Sequence, residues 1–80
     1  MQNQLILLGT QGCHLCDDAE QLLQALNLPY QSLDIMDDEK LLQRYEISIP
    51  VLLDASNSGV NELFWPFNAE MISHWLTTQA

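Results

Sequence analysis

The sequence predicts one α/β domain in the order β-α-β-α-β-β-α, a four-stranded mixed sheet with three helices. Three observations carry this. Leu5-Ile6-Leu7-Leu8 and Val51-Leu52-Leu53 are short continuous apolar runs, the pattern of strands covered on both faces. From Cys13 the apolar period changes to a helical one, with Leu15, Ala19, Leu22, Leu23 and Leu26 in a single arc. Asn57-Ser58-Gly59 is a polar turn cluster, and so short a connection joins only antiparallel neighbours. The 80 residues suffice for one domain, spanning 1–80, which buries about 60% of its unfolded surface.

The first strand ends at Gly9, and its unbroken aliphatic run suits a central parallel position. On the helix opened by Cys13, the arc leaves Cys13, Asp17 and Glu20 outward and puts Cys16 at its edge, so the cysteines are expected to be unequal, Cys13 exposed and Cys16 half-buried. Leu15 is expected in the core. Asn27-Leu28-Pro29 ends this helix, because proline cannot continue it and disfavours helix in the residue before. Tyr30 to Ile35 alternates as a second strand. Asp37 is the expected N-cap of a second helix running to about Tyr45, with Asp38 and Glu39 in its first turn and Lys40 and Arg44 later, matching the dipole. Ser48-Ile49-Pro50 leads into Val51 to Leu53, the third strand, and Val60 to Trp65 returns as the fourth. Pro66 breaks that strand, Asn68 can cap a third helix, and Ile72, Trp75 and Leu76 supply the apolar face of that helix.

Composition narrows the function. Two basic residues against eleven acidic ones give a net charge of −9, which argues against nucleic acid and anionic membrane surfaces as partners and either calls for a basic patch on any protein partner or, with the carboxylates scattered, serves simple solubility. No apolar run approaches a membrane span. The start, Met1-Gln2-Asn3-Gln4, has no basic residue and so lacks the charged region of a secretory signal. A cytoplasmic, reducing location is expected, where a thiol pair cycles instead of stapling the fold.

The chemistry concentrates in Gly12-Cys13-His14-Leu15-Cys16, which holds both cysteines. A sulfur at a helix start faces backbone N–H groups with no intrahelical partner, and Cys-x-x-Cys motifs at such sites lower the first thiol's pKa. A closed zinc site needs four ligands, whereas the remaining soft donors are His14, inside the motif, and His74, alone in the last helical stretch. No metal is expected. A purely structural disulfide would close too short a loop to constrain the unfolded chain much. The spacing therefore favours a redox dithiol. His14 beside Cys13 can stabilise a thiolate if protonated, although the helix N-terminus disfavours that second positive charge. Asp17, four residues after Cys13, opposes the thiolate. Asn68 and the N–H groups after it can either cap the helix or hold a carboxylate.

The element order, the motif at the first helix and the proline opening the third strand resemble the thioredoxin superfamily in its short glutaredoxin form. Closer still, Gly12 to Asp17, Ile49-Pro50-Val51-Leu52 and Leu63-Phe64-Trp65-Pro66-Phe67 look like the motifs of small glutaredoxin-like proteins. The resemblance implies a thioredoxin-like, glutaredoxin-type fold and a thiol–disulfide oxidoreductase acting on protein or small-molecule disulfides. By resemblance, Cys13 is the nucleophile, Cys16 the resolving thiol, and Ile49-Pro50 a cis peptide facing the sulfurs, beside which an extended substrate pairs; unaided, the sequence would make that bond trans. His14, Ile49, Pro50 and Asn68 are the expected substrate-binding residues. Thr10-Gln11 stands where glutathione-binding members carry a basic residue, and Trp65-Pro66-Phe67 where they carry a Gly-Gly and acidic signature, so no glutathione cofactor is expected. A dithiol reductase and a monomeric state are. The family also contains iron-sulfur carriers that share a cluster between two chains, and a protein-binding module with an unused dithiol is a third reading.

Overall fold

A computed structural model describes residues 4–55 and 61–78. Strand β1 (Leu5–Gly9) lies inside a sheet of order β2-β1-β3-β4, parallel to β2 (Tyr30–Asp34) and antiparallel to β3 (Val51–Asp54). Strand β4 (Asn61–Phe64) pairs antiparallel with β3. The continuous apolar runs follow from this position. Leu5, Leu7 and Leu52 enter one core with Ala19 and Leu23 of helix α1 (His14–Ala25), Ile72 of helix α3 (Ala69–Thr77), and Phe67. Their alternates Leu8, Val51 and Leu53 enter a second core with Ile35 and with Tyr45 of helix α2 (Glu39–Tyr45). Each central strand buries both faces, so neither shows a polar alternation.

Local chemistry sets the helix ends. Gly12 takes φ of 80°, a backbone that glycine adopts without strain, just before α1 begins. At the other end of α1, Asn27 turns left-handed at φ 56° and Leu28 N–H donates to the Leu23 carbonyl, a Schellman-like stop ahead of Pro29. The Asn68 side chain accepts from Met71 N–H at 2.8 Å and caps α3.

Several expectations shift. Ile35 opens a short 3-10 turn, Ile35–Asp37, and does not extend β2. Asp34 caps that turn, so the N-cap of α2 moves from Asp37 to Asp38, whose carboxylate accepts from Lys40 and Leu41 N–H. Leu15 is 48% exposed and is absent from both cores. It belongs to the first turn of α1, whose core contacts begin only at Cys16 and Ala19. Strand β3 gains Asp54, a fully buried carboxylate that the apolar pattern did not suggest. The Asn57-Ser58-Gly59 turn and Val60 lie outside the described residues.

Candidate functional site

The motif follows the C-terminal end of β1, and one hydrogen bond defines its form. Cys13 is the N-cap of α1: its backbone is extended and its Sγ accepts from Cys16 N–H at 3.2 Å. A sulfur in that place sits on an orphan helix donor and on the positive end of the dipole, both of which favour a thiolate once the thiol is reduced. Cys13 and Cys16 are joined by a disulfide with Cα atoms 5.2 Å apart, inside the ordinary range.

The two sulfurs differ in access. Cys13 is half-buried, whereas Cys16 is only 6% exposed, more deeply buried than the helical arc implied. Gly9 explains the depth. A Cβ at Gly9 would lie 3.0 Å from Cys16 Sγ and 3.1 Å from its Cβ, so the bare backbone at the end of β1 lets Cys16 approach closer than a side chain there would allow without a shift. Nothing in the motif spacing points to Gly9. The usable signal was a glycine closing the strand that feeds the motif.

The other expected residues line the same end of the sheet. Leu8 pairs with Val51, which puts the Ile49–Pro50 peptide, here cis, beside the end of β1. Pro50 is fully buried and Ile49 half-buried. Val51 pairs with Phe64, and Trp65 N–H donates to the Pro50 carbonyl at 3.3 Å, which ties the 65–68 turn to the proline loop. A second cis bond, Trp65–Pro66, lies in that turn and was not expected. Asn68 stands one strand further from the motif, with its side chain engaged in capping. His14 is the exposed first residue of α1, and His74 is exposed in the last turn of α3. Among the described residues, no three His, Cys, Asp or Glu side chains gather as a metal site.

The profile of the glutaredoxin-like domain matches residues 4–77 of this chain. The chain belongs to the glutaredoxin-like domain family. The crystal structure of protein XcR50 from X. campestris is 38% identical with a TM-score of 0.81, over 95% of this chain and 99% of that one. The solution structure of XcR50 gives 37%, 0.79, and 96% of each chain. Protein Ne2328 from Nitrosomonas europaea shares the fold, with a TM-score of 0.77 at 24% identity over 94% of this chain and 92% of that one. Comparison with curated proteins gives no match. The mixed sheet and three helices of this glutaredoxin-like domain are thus the thioredoxin-like architecture, with the dithiol, in its disulfide state, at the expected turn.

Other residues stand at the positions considered for glutathione contacts. The turn after β4 presents Trp65, Pro66 and Phe67, with Phe67 buried in the core and the Trp65 ring edge-on to it at 5.0 Å. Proline has no N–H to offer a carboxylate, and the segment before the motif carries no cation.

Proposed function

We propose that this protein is a thiol–disulfide oxidoreductase whose substrates are disulfide-bonded polypeptides. The observation that carries the proposal is the asymmetry of the pair: Cys13 Sγ sits on the Cys16 N–H at the helix start, while Cys16 Sγ is buried against Gly9 and joined to Cys13 Sγ in the disulfide. In the reduced protein the Cys13 thiolate attacks one sulfur of the substrate disulfide, forming a mixed disulfide and releasing the first substrate thiol. The Cys16 thiolate then attacks Cys13 Sγ, releases the second substrate thiol and leaves the Cys13–Cys16 disulfide. Two electrons and two protons from a dithiol reductase restore the pair.

A polypeptide substrate is favoured by the apolar surface at this end. Leu15, Phe64 and Met71 are exposed, and Ile47 is 95% exposed two residues before Ile49. Each belongs to the first turn of a helix or to a chain segment flanking the motif end of the sheet, where an exposed apolar side chain offers a polypeptide something to pack against. The Ile49–Pro50 backbone is then the segment against which the extended substrate pairs, with His14 the exposed residue next to Cys13.

The test is trapping. Cys16→Ser leaves the first step intact and removes the second, so the mixed disulfide should accumulate on Cys13 and be identified by mass. A Cys16→Ser protein that captures no disulfide-bonded polypeptide, while Cys13 remains alkylatable, overturns the proposal.

A further inference from the structure

A cleft of about 230 Å3 runs alongside the motif between α1 and β2. It lies on the β2 side of the redox pair, away from the Pro50 loop. Its buried lining includes Leu7 and Cys16, while Asp17, Glu20, Ser32 and Asp34 line it from more exposed positions. Its volume is below the roughly 300 to 1,000 Å3 usual for small-molecule sites, so it suits a single side chain. We infer that this cleft receives a lysine or arginine side chain next to the cysteine of the substrate polypeptide, an inference that rests on the oxidoreductase reading.

Charge complementarity carries the assignment. The carboxylates reach the cleft from two sides, Asp17 and Glu20 from α1 and Asp34 from β2. Glu20 is held in place, accepting from Tyr30 OH at 3.3 Å and Ser32 Oγ at 3.0 Å. Asp34 is fixed by Met36 N–H at 2.9 Å. Among the described residues no basic side chain lines the cleft, and of the two in the chain Arg44 is engaged with Glu62 and Tyr45. A complementary cation must come from outside. The shape agrees: long cationic side chains bury an aliphatic stem and keep the charged head in water, and here buried Leu7 and Cys16 lie inward of three carboxylates. Gly9, Thr10 and Gln11, the segment that leads into Cys13, also line the cleft, so with the stem against Cys16 the neighbouring substrate cysteine is directed toward the motif.

The experiment has a kinetic and a binding arm. Reduced protein is mixed in single turnover with three disulfide-dimeric peptides that differ only in the residues flanking cysteine: lysine, glutamine or glutamate. Exposed ion pairs change a rate or affinity by roughly 1.5- to 5-fold each, so the three carboxylates should make the lysine peptide react about tenfold faster than the glutamine peptide at low salt. Glu20→Gln and Asp34→Asn should each reduce that ratio by about two- to threefold and leave the glutamine-peptide rate unchanged, while Glu20→Lys should favour the glutamate peptide. Asp18→Asn removes an equal charge outside the cleft and should change nothing. A preference that is absent, or that Asp18→Asn lowers as much as Glu20→Gln does, overturns the inference. In the binding arm, oxidised protein is titrated with the lysine peptide carrying serine for cysteine, and shifts are followed at the Glu20, Ser32 and Leu33 amides. Shifts there that the glutamine peptide does not cause support the cleft, and equal or no shifts refute it. If none of the peptides is reduced, the oxidoreductase reading fails, and the binding arm still decides the cleft.

Discussion

At the scale of single residues, the site is governed by what stands around two sulfurs. Cys13 is half-buried on a helix donor and Cys16 is enclosed, so in the reduced protein brief iodoacetamide treatment should alkylate Cys13 first. Peptide mapping checks this, and equal labelling or a preference for Cys16 would reverse the assignment of nucleophile and resolver. Gly9 offers a second prediction. A methyl group 3.0 Å from Cys16 Sγ must displace that sulfur, which is held by its disulfide and by its place in α1. Overpacking of this kind costs about 1 to 3 kcal/mol. Gly9→Ala should therefore destabilise the oxidised protein by about that much and the reduced protein by less, since a free Cys16 side chain can turn aside. Denaturant melts of both forms measure the difference, and an equal loss in both would show that Gly9 does not position the sulfur.

At the scale of elements, α2 is latched to β4 by a polar contact at the edge of the second core. The Tyr45 hydroxyl donates a hydrogen bond to Glu62, and Arg44 reaches both, at 3.1 Å to Tyr45 and 3.4 Å to Glu62. Burial first, then the bond to Glu62, raises the Tyr45 hydroxyl above its ordinary value of 10.0. The folded state thus keeps the phenolic proton more tightly than the unfolded chain does. Stability from this group is complete below the unfolded value and is lost as pH rises through it toward the higher folded one. The denaturation midpoint of the native protein should fall more steeply above about pH 10 than that of Tyr45→Phe, and parallel curves would remove Tyr45 as the cause. The Arg44–Glu62 pair adds little, its arginine being mostly exposed. The Asn68 cap is a separate device. Asn68→Ala should cost about 1 kcal/mol, because Met71 N–H loses its acceptor at the end that carries Ile72 into the core.

At the scale of the whole molecule, the excess of eleven acidic over two basic residues sets the surroundings of the site. A domain of this length is stable by about 4 to 12 kcal/mol, so truncating Leu23 or Ile72, both fully buried, to alanine, at about 2 to 5 kcal/mol, should remove a large share of that stability and lower the denaturation midpoint accordingly. The same charge repels glutathione, itself an anion. That repulsion is screened beyond about 8 Å at physiological ionic strength, so the missing contacts at Thr10-Gln11 and Trp65-Pro66-Phe67 should matter more than the field. Reduction of the Cys13–Cys16 disulfide by glutathione should accordingly be slow beside reduction by a thioredoxin system, and added salt should recover only a small part of the difference. Efficient turnover by glutathione at low salt would show that another surface, such as the one around Asn68, binds the tripeptide.

Element order, the two buried strands, the position of the dithiol and the Asn68 cap were all determined by the sequence itself, because each is written within a few residues. Apolar periodicity marks Leu5 to Leu8 and Val51 to Leu53, and a Cys-x-x-Cys ahead of a helical arc marks α1. Resemblance, not local pattern, supplied the cis Ile49–Pro50 bond, since the isomer is selected by neighbours that a dipeptide does not contain. Only the tertiary structure decided what depends on a partner distant in the chain. Leu15 has an apolar side chain in the right arc, yet in the first turn of α1 it is Cys16 that is buried and Leu15 that stays exposed. Cys16 is enclosed because a strand seven residues earlier ends in glycine. The Asp37-to-Asp38 shift of the cap followed from the 3-10 turn that Asp34 nucleates. The cleft arises where Asp17 and Glu20 of α1 come to face Ser32 and Asp34 of β2, a juxtaposition made by the crossover between parallel strands. Spacing within either segment does not contain it.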